Sequence, residues 1–422
     1  MATTDRIEVS SQRLEADLNG LARIVDDSKP GYTRTAFGEL YRDGAQWVAE
    51  RMADAGLQVS IDLAGNVVGT LYGRHEGAAL VTGSHIDTVE KGGRYDGIVG
   101  VLGAIEAVRA MRDASIKLDR PVNVIAFFGE EASPYGVAHI GSRALGGTLT
   151  RELLLKTDSK NQTLADGLRT RTGIDPEHIL KARWSPRHMA AYVELHIEQG
   201  AVLEQTGNRL GLVTGIAGAR RFTAAITGQP DHAGATPMDR RHDAFCGASK
   251  LTLLVEDFAR SVPTGVATVV PVDDGPRASN IVPGSFRLVG DIRSLEEEWI
   301  DALQTHITTA ASQIGPERGL DIAIGWPSYT PPTVFTNPMQ QLIGQVLQSS
   351  GHEFVPITSG AGHDAQEISQ LGPVGMIFIP SVEGRSHCPE EFTALDDVTI
   401  GVQALTEALI ALDQTDPALL GK

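Results

Sequence analysis

Two apolar runs in this chain stop abruptly on polar side chains, and that pattern narrows the possible folds more than any other. The segment AALVTGSHIDT reads as a buried strand whose end delivers His85 and Asp87, and PVNVIAFFGEE as a second that ends at Glu130 and Glu131. Between them, residues 100–111 form an apolar helical stretch. Strand, helix and strand with chemistry at the strand ends is how an open α/β sheet presents a site. VELHIEQG sets His196 at another strand end, and GRSHCPEE sets His387 after the apolar strand VGMIFIP.

His85 and Asp87 form an HxD pair, and strand alternation sends both side chains to one side. His85 then binds a metal with Asp87 supporting it from behind, or the pair is a buried histidine satisfied by an aspartate. Asp96 is flanked by Gly92, Gly93 and Gly97, so its carboxylate could bridge two cations, although a solvated loop aspartate fits the same surroundings. Adjacent residues point different ways, so one acid of the Glu130, Glu131 pair can ligate while the other serves a bound water as base. Such a base in a desolvated pocket is expected to have its pKa raised toward neutrality. Three imidazoles and several carboxylates in one place are untenable without cations; with two divalent cations they become a hydrolase site.

A chain of 422 residues predicts two domains. Residues 215–330 follow a βα–ββ–αβ order without a further metal-ligand motif, which predicts a two-layer α/β sandwich inserted as a lid. Residues 1–214 and 331–422 then form a discontinuous catalytic domain, hinged at Gly215 and at Pro331 and Pro332. A helical stripe is predicted over residues 11–25, with Ser10 or Ser11 as cap. A formal charge of −17 argues against nucleic acid or an anionic membrane as partner. Two cysteines, Cys246 and Cys388, exclude a disulfide framework and suit a reducing, cytoplasmic compartment. The polar start MATTDRIEVSSQRLEADLNG carries no recognisable signal peptide, and no apolar run reaches the ~20 residues that span a bilayer.

The ordered set GSHIDTV, GGRYDGIVGVLGAIE, FFGEEAS, GSRAL, ELHIEQG, GQPDHAGATPM, ASNIVPG, DIRS, SGAGHDA and SHCPEE resembles the hydantoinase/carbamoylase branch of the dinuclear zinc aminoacylase and carboxypeptidase superfamily. The resemblance runs over nearly the whole chain. It implies a zinc-peptidase-like catalytic domain, a lid that also forms a homodimer, and two divalent ions per subunit: zinc first, with manganese, cobalt or nickel accepted by the same ligand types. By that resemblance His85, Asp96 and His196 hold one ion, and Asp96 bridges to a second held by Glu131 and His387. Glu130 is implied as general base, with Asp87 beside it. Gln199, Asn280, Arg293 and the backbone at Gly360 are implied substrate contacts, and His232 is implied to reach the partner subunit's site and stabilise the oxyanion.

The implied substrate is a small ureido or amide carboxylic acid. Two alternatives remain at this level: an aminoacylase or dipeptidase cleaving an ordinary amide, and a non-catalytic acid-binding protein. The chain departs from the family pattern at Ala132, Ser133, Pro134 and Tyr135, and at Arg385, where an aliphatic residue is usual. Both stretches bear on substrate identity more than on reaction type.

Overall fold

The computed structural model describes residues 7–272 and 278–421. The first six residues of the polar start lie outside that range. The first helix, Ser11–Leu21, is capped by the Ser10 hydroxyl, which accepts from the Arg13 amide, and it buries Leu14, Leu18 and Leu21. It stops before residue 25 because the buried Arg34 guanidinium claims the carbonyls of Leu21 and Ile24.

The strands in chain order are β1 (Gln58–Ile61), β2 (Val67–Leu71), β3 (Ala79–His85), β4 (Val122–Phe127), β5 (Met189–Ile197), β6 (Leu210–Ile216), β7 (Gly218–Thr227), β8 (Gly265–Val272), β9 (Ser285–Ser294), β10 (Asp321–Thr330), β11 (Thr333–Val334), β12 (Phe354–Ser359) and β13 (Val374–Ile379). The chain divides into two compact units, Met1–Thr214 with Phe335–Lys422, and Gly215–Val334. The return falls a few residues later than residue 331, because Thr333 and Val334 pair with Ile216 and Gly215.

In the larger unit the sheet order is β1-β2-β4-β3-β5-β13-β6, with β12 also on β6. The centre is parallel: β3 with β4 and β5, and β5 with β13. Every residue of β3, β5 and β13 is buried, as sheets covered on both faces require. The Ile98–Asp113 helix, buried from Ile98 to Met111, packs on β3 and against the Leu395–Asp413 helix. Each fully buried Leu, Ile or Val in this layer contributes about 1.5–3 kcal/mol. Strand β12 leaves little mark in the sequence, because FVPITS is mostly half-buried or exposed and carries a proline.

In the smaller unit an antiparallel sheet in the order β10-β7-β9-β8 carries the Ala244–Ser261 and Glu297–Arg318 helices. Phe222, Ile226, Leu251, Leu288, Ile292, Trp299, Leu303 and Ile307 belong to its core. Alternation along β7 and β9 sends Phe222, Ile226, Leu288 and Ile292 inward and Arg221, Asp291 and Arg293 outward. The architecture is therefore α/β, with a two-layer sandwich inserted into a larger sheet domain. Among the described residues no helix is long and apolar enough to cross a membrane.

Candidate active site

His85 closes β3 opposite Phe127 of β4, and His196 on β5 lies opposite Phe378 of β13. Glu130 and Glu131 follow β4, and His387 follows β13. Four neighbouring parallel strands thus deliver their polar ends to one rim, the place where an open sheet binds ligands. Asp96 comes from the turn before the Ile98–Asp113 helix. Gly97 makes that turn at φ +69°, and a Cβ there would stand 2.3 Å from the His85 ring. Only glycine lets the turn press against the imidazole.

The two carboxylate oxygens of Asp96 face different partners. Oδ1 lies 3.1 Å from His196 Nε2 and 3.7 Å from His85 Nε2, whereas Oδ2 lies 3.0 Å from His387 Nε2. Glu131 Oε1 is 3.3 Å from His387 Nε2. Donor atoms of His85, Asp96 and His196 lie within 4.8 Å of one another, as do those of Asp96, Glu131 and His387. The structure thus brings all five sequence-predicted ligands together as two sets sharing Asp96. Glu194, His196 and His363 form a third such set, all buried.

The hydrogen bonds of two imidazoles test whether cations fit. His85 Nδ1 lies 3.0 Å from the Asp87 carbonyl, and His196 Nδ1 lies 2.8 Å from the Ile197 carbonyl. A carbonyl only accepts, so each Nδ1 donates a proton to it and Nε2 is the ring atom left to face Asp96. Metal-ligating histidines are held in this way. The acids fit as well. Burial, then the charges of Glu130 and Asp96, push Glu131 up to about 8, the mark of carboxylates crowded without a counter-charge. Burial opposes ionisation of Asp96, yet hydrogen bonds with His196, His387 and His85 hold it well below the usual range. Its hydrogen bond to Asp96 raises His387 to about 9.

Glu130 departs from the expectation of a raised base. Burial does act upward, but His85 and His139 outweigh it and hold the carboxyl at about 2; the upward shift falls on Glu131 instead. Asp87 acts through two groups. Its carbonyl orients His85, and its carboxylate accepts from the amides of Glu130 at 3.3 Å and Glu131 at 3.1 Å, fixing the loop that carries both.

Gln199, expected on the substrate, sits in the cluster: Nε2 donates to Asp96 Oδ2 at 2.8 Å and approaches His387 Nε2 at 3.4 Å. Gly360 is exposed in the loop after β12. The other three predicted residues belong to the smaller unit. His232 is exposed, and its Nδ1 accepts from the Gly234 and Ala235 amides, both at 3.1 Å, so the neutral ring carries its proton on Nε2. Asn280 is exposed, its carbonyl accepting from the Ala233 amide. Arg293 lies on the outer sheet face, where Nε donates to Asp291 at 2.7 Å.

Two residues of the larger unit escaped the sequence reading. Glu391 is buried, and its Oε1 accepts from the Tyr95 and Asp96 amides while Oε2 accepts from the Ser386 hydroxyl and the His387 amide. It ties the Asp96 turn to the His387 loop, and the acid pair in CPEE was the signal that pointed to it. His139, treated below, had no motif to flag it.

A sheet of this kind with this cluster on its rim is the framework of a metal-dependent hydrolase. Residues 81–411 match the sequence profile of peptidase family M20/M25/M40, and the chain belongs to that family. It is 35% identical over 407 residues to an N-carbamoyl-L-amino acid amidohydrolase of Geobacillus stearothermophilus, covering 96% of this chain and 99% of the relative. It is 33% identical to an allantoate deiminase of Glycine max, covering 91% of this chain and 86% of that one. A solved amidase of the hydantoinase/carbamoylase family from Burkholderia multivorans superposes with a TM-score of 0.90 at 32% identity, covering 97% and 99% of the two chains. The family's enzymes are metal-dependent, and this chain is a hydrolase of the amidohydrolase kind.

Proposed function

We propose that this chain uses two divalent cations to hydrolyse the carbamoyl C–N bond of an N-carbamoyl amino acid or related ureido acid, releasing ammonia, carbon dioxide and the free amino acid. The observation that carries the proposal is Asp96, whose two oxygens face separate imidazole and carboxylate sets with Glu130 alongside. The similarity to carbamoyl-amino-acid and allantoate hydrolases supports the ureido substrate.

His85, Asp96 and His196 would hold one cation, and Asp96, Glu131 and His387 the other, with zinc best suited to this mix of imidazole and carboxylate. Bound cations supply an acidified water and a polarised carbonyl. Glu130 takes the proton of the attacking water and passes it to the departing nitrogen. Asp87 keeps Glu130 in place through the loop amides. Gln199 and the Gly360 backbone orient the substrate.

The smaller unit serves as the lid. Its His232 presents an Nε2 proton suited to an oxyanion, Asn280 and Arg293 receive the substrate carboxylate, and Arg293 must exchange Asp291 for it. Strand β8 pairs on one side only among the described residues, and Val266 and Val270 on it are exposed, which supports dimerisation through this unit. Two free cysteines suit a cytoplasmic setting.

The test compares ammonia release from N-carbamoyl amino acids, β-ureido acids and allantoate with cleavage of N-acyl amino acids and dipeptides, on protein reconstituted with zinc or manganese. Ureido acids are the expected substrates; turnover confined to ordinary amides overturns the substrate reading. Glu130→Gln should lower kcat by about 10²–10⁴ with metal content intact, and near-full turnover in that variant removes Glu130 as base.

A further inference from the structure

The residue closest to explaining how Glu130 is held lies outside every motif singled out above. His139 is 8% exposed, and its Nε2 stands 3.1 Å from Glu130 Oε1. The other Glu130 oxygen, Oε2, faces the His85 side of the cluster at 3.5 Å. The backbone repeats the connection, since the His139 amide donates to the Glu130 carbonyl at 2.8 Å.

Three features indicate that the arrangement is maintained against a cost. His139 takes the left-handed conformation, φ +57° and ψ +36°, unusual for a residue with a side chain, and its side chain makes no hydrogen bond that caps the following helix. On the ring's far side, Nδ1 lies 3.7 Å from Glu367 Oε1, itself gripped by Arg143 Nη2 at 3.0 Å and by the Thr148 hydroxyl through its other oxygen. Gly362 completes the socket: a Cβ there would come within 2.9 Å of the His139 ring. A buried imidazole with one carboxylate at 3.1 Å, a second at 3.7 Å, no hydrogen bond from Nδ1, a strained turn and a glycine against the ring is held chiefly through its Nε2 contact with Glu130.

We infer that His139 is a positioning residue for Glu130: it grips Oε1 and so fixes the carboxylate rotamer that presents Oε2 to the reacting water. Glu367 and Arg143 brace His139 from behind. The inference rests on the reading of Glu130 as base, but the grip itself is independent of the substrate.

His139→Leu and His139→Gln, alone and combined with Glu130→Gln, test it by kinetics, metal analysis and crystallography of the zinc-loaded proteins. In His139→Leu, kcat should fall by about 10- to 100-fold, a fraction of a full acid–base contribution, with KM changed less than about threefold. Metal content should hold at the wild-type value, and the Glu130 carboxylate should leave its wild-type rotamer. His139→Gln, which keeps a donor, should recover most of the rate, and neither change should cost more in the Glu130→Gln background. A kcat within twofold of wild type, an equal further loss in that background, or an unmoved Glu130 overturns the inference. Should wild type release no ammonia from any ureido acid, the proposed function fails, and the Glu130 rotamer in His139→Leu alone decides the role of His139.

Discussion

Gly97 constrains the turn that carries Asp96, because the His85 ring occupies the space a side chain would fill and the φ of +69° disfavours one. Gly97→Ala should therefore push His85 or Asp96 out of register, with a backbone cost of about 1–3 kcal/mol. The expected outcome is less bound metal, read by elemental analysis, before any general loss of fold. Asp291 offers a separate test in the smaller unit. Burial acts to raise its pKa, but hydrogen bonds and charge from Arg293 and Arg221 lower it below 3.8. A depressed carboxylate contributes stability above its unfolded pKa and loses it as pH falls through the folded one. Asp291→Asn should then melt below wild type at pH 7, with the two curves converging as pH falls through the depressed folded pKa; a gap that persists in strong acid would sink the electrostatic account.

At the scale of elements, the parallel core β4-β3-β5-β13 aligns four strand ends, and the short loops after them set the spacing of the donors. Edge strand β8 stands in contrast, with Val266 63% and Val270 53% exposed beside a backbone edge that pairs with no other strand among the described residues. A strand of that kind invites a partner unless charge or proline guards it, and Pro271 lies only at its end. Val266→Lys with Val270→Lys should convert a dimer to a monomer in sedimentation or light scattering while leaving the fold's circular dichroism unchanged. A wild-type protein that is already monomeric at micromolar concentration would remove the edge as an interface.

For the whole molecule, the acids and imidazoles of the rim link cation binding to folding. A site filled at a hundred times its Kd adds about 2.7 kcal/mol to stability. Titrating zinc into chelated protein should raise Tm in a curve that saturates at two equivalents per chain. Saturation at one would leave Asp96 as a ligand to a single ion. Chelation should lower Tm and abolish turnover together, with both restored on reloading.

Local patterning was sufficient for much of this protein: apolar runs, the glycines around Asp96 and the acid pair after β4 are contiguous in sequence, so the strands, the α/β class and the five clustered donors could be read from it. Strand β12 could not, because it is half exposed and leaves no apolar run. The position of Gln199 on Asp96, the bracing by Glu391 and the grip of His139 on Glu130 depend on side chains that only the folded chain brings together. So does the reversal of the expected pKa order, in which Glu131 rises and Glu130 falls. Which of two adjacent acids is the harder to ionise is decided by the partners each one faces, and only the folded packing chooses those.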